Sequence, residues 1–198
     1  MTRRLMFVAG IAVVTTLAFA GLHASHPGWW DRLWYPLKYG QIVRGHAVNY
    51  NLNPDLLAAV IYQESKFRAA AKSKSGAIGL MQLLPDTAKG IAVHTGGTNF
   101  RVADLYNPEI NVRYGAWYLR HLLDKYGDER TALAAYNAGQ DNVDRWRRDG
   151  RGIVFSETRA YVARVEDLKA IYRRAYVDKV ERLKGIYRRA YKSELGLR

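Results

Sequence analysis

The 198-residue chain contains no cysteine. Disulfide bonds, thiolate catalysis and cysteine-bearing metal sites are therefore excluded. The five histidines are scattered along the chain, so we expect no zinc site and no other metal or cofactor. Acidic residues are few: 31 Lys and Arg face 18 Asp and Glu, which gives a formal net charge of +13. Such a surplus favours an anionic partner, either a nucleic acid, a membrane surface or a cell-wall polymer.

The N-terminus decides between these partners. Met1-Thr2-Arg3-Arg4 is a basic start, and residues 5–22 then contain no charged residue. This pattern is typical of a secretory signal or a membrane anchor, and the run is long enough to span a bilayer. Ala18-Phe19-Ala20 fits a signal cleavage site, so both interpretations stay open. In both cases the rest of the chain is exported, and we expect no nucleic-acid partner.

We divide the chain into four predicted segments. Residues 1–26 are the signal sequence or anchor, and residues 27–38 are an aromatic juxtamembrane linker whose tryptophans either sit at the membrane interface or pack on the domain. Residues 39–176 are the working domain, and residues 177–198 a basic helical extension. Apolar residues of the domain recur at three- and four-residue steps, and no long segment alternates with period two. The predicted class is all-α.

Two Asn-Pro-acid strings predict helix starts. In Asn53-Pro54-Asp55 and Asn107-Pro108-Glu109, the asparagine suits the N-cap, the proline the first helical position and the acid the positive end of the helix dipole. The first of these helices is expected to run to about Glu64 or Ser65.

The C-terminal part carries an internal repeat. The string 165–176 recurs as 180–191 with helical apolar spacing, and its arginine pairs lie off the apolar stripe. We expect one copy to pack on the domain. The other copy would extend into solvent or contact anionic wall polymers or lipid headgroups.

Glu64 is the candidate for acid–base chemistry. It closes an apolar run, residues 56–63, and half-burial at the end of such a helix would raise the pKa of its carboxyl group. A carboxyl group that keeps its proton near neutral pH can act as a general acid. A single glutamate after an apolar run is more often a surface residue, so other strings must support this role.

Four strings in order supply that support. Residues 64–67, 73–82, 135–139 and 155–162 resemble the signature strings of the soluble-lytic-transglycosylase (SLT) domain family. The resemblance covers roughly residues 39–176. It implies an all-α, lysozyme-like fold and an enzyme that cleaves the glycan strands of peptidoglycan.

The resemblance also implies roles for single residues. Glu64 matches the family's single catalytic acid and base, which works without a protein nucleophile because the substrate's N-acetyl group assists. The product would then carry a 1,6-anhydro-muramoyl end. The matching substrate-binding positions are Ser73, Met81, Gln82, Tyr136, Asn137, Glu157 and Tyr161.

Two other functions remain compatible with the sequence. A hydrolytic muramidase would need a second carboxylate to activate water, for which Asp141, Asp144 and Glu157 are candidates. A non-catalytic wall-binding scaffold would need no chemistry at Glu64.

Overall fold

The computed structural model describes residues 3–25, 27–97 and 99–177, and the second repeat copy at 180–191 lies outside them. Every regular element of the described part is helical, which confirms the predicted all-α class; two isolated β-bridges, Lys72 to Ile78 and Ile78 to Leu83, occur in a loop. The helices are α1 (Arg3–Ser25), α2 (Gly28–Trp34), α3 (Gly40–Asn49), α4 (Pro54–Ser65), α5 (Pro85–His94), a 3-10 helix (Val102–Tyr106), α6 (Pro108–Tyr126), α7 (Glu129–Ala138), α8 (Gln140–Arg148), α9 (Ser156–Tyr172) and a π-helical turn (Arg173–Val177).

The chain forms two compact units. One unit is Leu37–Arg173, and the other joins the described residues up to Pro36 with those from Arg174 onwards. In the second unit, Arg4–Ser25 is the one helix among the described residues that is long and apolar enough to cross a membrane, judged by length and composition alone. The segment interpreted as a linker contains the short helix α2.

Both Asn-Pro-acid strings start helices, but only one asparagine side chain makes the cap. Asn107 accepts hydrogen bonds from the backbone amides of Glu109 and Ile110. Asn53 occupies the N-cap position of α4, yet its side chain makes no capping bond. The start of α4 therefore depends on Pro54, whose fixed φ suits the first turn, and on packing.

Helix α4 forms the centre of the core of the larger unit. Its residues from Leu56 to Ile61 are at most 2% exposed. A helix that is apolar on all sides is buried on all sides, and α4 packs most extensively against α9. Glu64 is thus carried on the last turn of a buried helix.

The loop between α4 and α5 is held by a buried asparagine of α6 that the sequence strings did not single out. Asn111 is fully buried; its Oδ1 accepts from the Met81 amide at 2.7 Å, and its Nδ2 donates to the carbonyls of Ile78 and Leu105 at 2.9 Å each. Gly79 has φ +84°, and a Cβ there would collide with Asn111. Glycine is required at this position by both the backbone conformation and the close approach.

Candidate active site

Glu64 and Tyr161 form the centre of the candidate site. The Tyr161 hydroxyl donates a hydrogen bond to Glu64 Oε1 at 2.7 Å. The Tyr161 side chain is buried, whereas Glu64 is half-buried and keeps access to solvent. The close packing of α9 on α4 brings the two side chains together.

The carboxyl group of Glu64 holds its proton more tightly than an ordinary glutamate does. Burial raises the pKa of Glu64 to about 7, although the hydrogen bond from Tyr161 and the positive charge of Lys66 both oppose this rise. A group with a pKa near the working pH is present in both protonation states, so it can donate a proton and later accept one. The direction agrees with the pKa rise expected from the apolar run.

A second tyrosine lies beside the carboxyl group. The Tyr136 hydroxyl donates to the Met81 carbonyl at 2.8 Å, and its ring packs against Tyr118 with 5.5 Å between the centroids. Burial, and next the negative charge of Glu64, hold the pKa of Tyr136 well above its usual value. Burial and Glu64 do the same to the pKa of Tyr161. Both phenols are therefore neutral, and the proton of Tyr136 is directed away from Glu64.

Met81 and Gln82 lie in the loop between α4 and α5, and most of their contacts are within the protein. The Met81 side chain is fully buried and packs against Gly115, and its expected contact with a ligand in the cleft stays a prediction. Its contribution is the backbone carbonyl that orients Tyr136. Gln82 has φ +47°, and its Nε2 donates to the carbonyls of Gly79 and Ala71 at 2.9 and 3.2 Å. Its Oε1 is the side-chain group left for a ligand.

Ser73 is half-buried in the same loop. Its Oγ accepts from the Ala77 amide at 3.0 Å and shares a hydrogen bond of 2.9 Å with Ser75 Oγ. These bonds fix the hydroxyl within the loop. The structure gives no bond between Ser73 and Glu64.

Asn137 and Glu157 lie on α7 and α9, both exposed. The Thr158 hydroxyl, on a side chain only 2% exposed, donates to Asn137 Oδ1 at 2.8 Å. Asn137 Oδ1 is therefore occupied by a hydrogen bond within the protein, and Asn137 Nδ2 is the atom available to solvent. Thr158 lies one helical turn before Tyr161 on α9, so this pair is adjacent to the Tyr161–Glu64 pair.

Thr158 and Asn111 are functional candidates that sequence reasoning missed. Each holds another group of the candidate site through a hydrogen bond. The available signal was positional only: Thr158 precedes Tyr161 by one turn, and Asn111 lies on the buried face of α6.

The candidates for a second carboxylate differ in their surroundings. Asp144 accepts hydrogen bonds from Lys125 at 2.7 Å and from the Tyr126 hydroxyl at 2.9 Å, and the Lys125 bond is the main cause that lowers the pKa of Asp144. A lowered pKa makes a weak base. Asp141 and Glu157 are exposed. Within residues 3–25, 27–97 and 99–177, no group of three or more His, Asp or Glu side chains could hold a metal ion.

Comparison with known proteins matches the transglycosylase SLT domain to residues 41–153. The soluble lytic murein transglycosylase of Salmonella typhimurium is 32% identical over 178 residues, which cover 76% of this chain and 28% of that protein. The membrane-bound lytic murein transglycosylase C of Histophilus somni is 32% identical over 130 residues, covering 61% of this chain and 36% of that protein.

Among solved structures, an inactive glutamate-to-glutamine mutant of lytic transglycosylase Slt from Pseudomonas aeruginosa superimposes with a TM-score of 0.66 and 34% identity. The match covers 72% of this chain and 25% of that one. The chain thus spans about a quarter to a third of the length of these proteins. The structural match agrees with the expected lysozyme-like architecture.

Proposed function

Because the chain belongs to the transglycosylase SLT domain family, we propose that it is a peptidoglycan lytic transglycosylase with Glu64 as its single acid and base. It would cleave the β-1,4 bond between N-acetylmuramic acid and N-acetylglucosamine and leave 1,6-anhydro-muramoyl ends. The observation that carries the proposal is the half-buried Glu64 carboxyl group, with a pKa of about 7, bonded to Tyr161.

In the first step Glu64 donates its proton to the glycosidic oxygen. The bond between that oxygen and C1 of the muramoyl residue breaks, and N-acetylglucosamine leaves with a hydroxyl group. The positive charge that develops at C1 is stabilised by the carbonyl oxygen of the muramoyl N-acetyl group. One protein carboxyl group is therefore enough, whereas most glycosidases use two.

In the second step the carboxylate of Glu64 takes the proton of the C6 hydroxyl group of the same muramoyl residue. The C6 oxygen then forms a bond to C1, which closes the 1,6-anhydro ring without water and returns Glu64 to its acid form. Tyr161 holds the carboxyl group in place during both steps. Because its proton points to the Met81 carbonyl, Tyr136 can offer only an oxygen lone pair to the site.

Substrate binding is assigned to polar groups around this pair. Ser73, the Gln82 Oε1 and the Asn137 Nδ2 are the candidates. Because Thr158 occupies Asn137 Oδ1, the exposed amide nitrogen suits an acceptor such as the carbonyl oxygen of an N-acetyl group or a stem peptide. Glu157, exposed on the first turn of α9, is proposed as part of the same wall.

A hydrolytic muramidase is the second candidate function, and one observation weighs against it. Asp144 is held by Lys125 and Tyr126, with a lowered pKa, and is therefore a weak base for activating water. The exposed Asp141 and Glu157 remain as its possible second carboxylates. A non-catalytic scaffold would have no use for the raised pKa of Glu64.

We also propose that the enzyme is exported. The apolar helix α1 supports attachment through residues 5–22 at the outer face of the cytoplasmic membrane; cleavage after Ala20 would instead release the chain into the envelope. A relative that is membrane-bound by name is consistent with attachment. Contact of the basic residues 177–198 with lipid or wall polymers stays a prediction from sequence.

The test is mass spectrometry of sacculi digested by the wild type, Glu64→Gln and Glu157→Gln side by side. We expect muropeptides ending in anhydro sugars, each lighter by one water than the hydrolytic product, from the wild type. Glu64→Gln should yield none, and Glu157→Gln should yield the same product type at a reduced rate. Reducing ends from the wild type would overturn the lytic mechanism. Full turnover by Glu64→Gln would overturn the role of Glu64.

A further inference from the structure

Helix α2 folds back along the end of α1. The Phe19 ring centroid lies 5.1 Å from that of Trp30 and 6.1 Å from that of Trp34. The indole nitrogen of Trp30 also donates to His23 Nδ1 at 3.5 Å. Trp30 and Trp34 are four residues apart and share one side of α2, so this side rests on the last turns of α1.

These ring contacts fix the depth of α2 relative to α1. Phe19 lies about two helical turns before Ser25, or roughly 9 Å at a rise of 1.5 Å per residue. The candidate membrane span is Arg4–Ser25, and a bilayer has a hydrocarbon core about 30 Å thick. Phe19 would thus lie in the outer part of the bilayer. Trp34, in contact with it, would lie at the level where indoles are enriched in membrane proteins.

The next side of α2 exposes large apolar groups. Trp29 is 49% exposed and Leu33 is 68% exposed, one helical turn apart, and Trp34 beside them is 51% exposed. We call these three residues the indole face. A contiguous exposed apolar patch on a helix this short indicates a contact surface.

Charged groups of α2 are kept off the indole face. Asp31 is fully buried and accepts hydrogen bonds from Arg174 Nη2 at 3.0 Å and Nε at 3.2 Å. Arg32 donates to the Ala175 carbonyl at 3.1 Å. These bonds tie the segment after α9 to the other side of α2. The two charged side chains of α2 are therefore paired within the protein and do not belong to the indole face.

We propose that the indole face lies in the headgroup region of a phospholipid bilayer. Helix α2 would then be an interfacial helix, here called the collar, beside the outer end of a membrane-spanning α1. The inference rests on the membrane attachment proposed above, and not on the lytic chemistry. Amphipathic indoles are suited to this region because their rings are apolar while the N–H group can bond to headgroups or water. The collar would fix the depth and rotation of the anchor.

The absence of cysteine makes the test direct. Leu33→Cys places a single thiol on the indole face, and Val48→Cys places one on α3, where Val48 is 73% exposed. The full chain with either substitution is labelled with an environment-sensitive fluorophore and reconstituted into phosphatidylethanolamine–phosphatidylglycerol vesicles. Flotation, fluorophore emission and quenching by aqueous iodide are measured at several lipid-to-protein ratios.

We expect both variants to float with the vesicles. The label at position 33 should show blue-shifted emission and be quenched by iodide several-fold less than the label at position 48, at every lipid-to-protein ratio. Equal quenching at the two positions, with flotation, would overturn the collar but not the anchor. Protection that disappears on dilution with lipid would assign the face to a second copy of the chain and also overturn the collar. A chain that does not float overturns both anchor and collar, while leaving the activity of Glu64 to its own test.

Discussion

Tyr161 donates a hydrogen bond of 2.7 Å to Glu64 although the two residues are 97 positions apart in the sequence. The contact joins the end of the most buried helix, α4, to α9. Burial raises the pKa of Glu64 and the tyrosine bond lowers it, with burial the larger effect. The balance leaves a carboxyl group able to donate and to accept a proton near neutral pH.

The first prediction concerns the pH dependence of activity. In the proposed mechanism cleavage begins with proton donation by Glu64, so kcat/KM should fall tenfold per pH unit above the Glu64 pKa of about 7. Tyr161→Phe removes the hydrogen bond that favours the carboxylate, so the alkaline limb of the pH–rate profile, where kcat/KM falls with rising pH, should move to higher pH. The rate at the pH optimum should also fall, on the order of tenfold. Turnover of sacculi from pH 5 to 9 measures both effects.

Tyr114→Phe is the matched control, because Tyr114 is also buried but packs against Phe100 rather than Glu64. It should leave the position of the alkaline limb unchanged. An unshifted limb in Tyr161→Phe would contradict the assigned effect of the hydrogen bond.

The second prediction concerns stability. The pKa of Glu64 is raised in the folded state, from 4.5 to about 7, so the folded protein binds a proton more tightly than the unfolded chain. The contribution of Glu64 to the free energy of unfolding is fully present below pH 4.5 and is lost as the pH rises from 4.5 to about 7. Glu64→Gln, which carries no charge, should therefore raise the Tm relative to wild type at pH 8 and not at pH 4. Thermal melts at the two pH values check this, and an equal shift at both would refute it.

The third prediction concerns Thr158 as a positioning residue. Thr158→Val keeps the shape and removes the hydroxyl that fixes Asn137 Oδ1. A lost hydrogen bond of about 1 kcal/mol corresponds to a KM roughly fivefold higher, with kcat little changed because the proposed proton transfers do not involve Asn137. Thr158→Ser should restore the wild-type KM. In an Asn137→Ala background Thr158→Val should have no further effect on KM; an effect of the same size there would show that Thr158 acts independently of Asn137.

The fourth prediction concerns Asn111. Asn111→Asp would place a carboxylate against the carbonyl oxygens of Ile78 and Leu105, which now accept from its Nδ2. A buried, unpaired charge should destabilise the fold by about 3 kcal/mol or more at pH 7. The deficit should shrink at acid pH, because the protonated acid can donate to one carbonyl. Denaturant unfolding from pH 4 to 8 measures it, with Asn99→Asp in an exposed loop as control. If the loss in unfolding free energy did not depend on pH, the assignment of Asn111 Nδ2 as the donor to the two carbonyls would be contradicted.

The sequence by itself determined the helical class and singled out Glu64 as the candidate acid. The patterns used here are local: helical spacing, the Asn-Pro-acid starts and the apolar run before Glu64. Local patterns predict backbone conformation and burial. The four strings that resemble the SLT family, taken in order, led to the proposed functions of Glu64, Tyr136 and Tyr161.

Only the tertiary structure decided which of these side chains act on one another. It directed Tyr161, and not Ser73, to Glu64, buried Met81 behind the loop, and introduced Asn111 and Thr158 as the residues that hold that loop and Asn137 in place. These relationships join separate helices through side-chain packing and hydrogen bonds. Their energy depends on distances between residues far apart in sequence, which no local pattern contains.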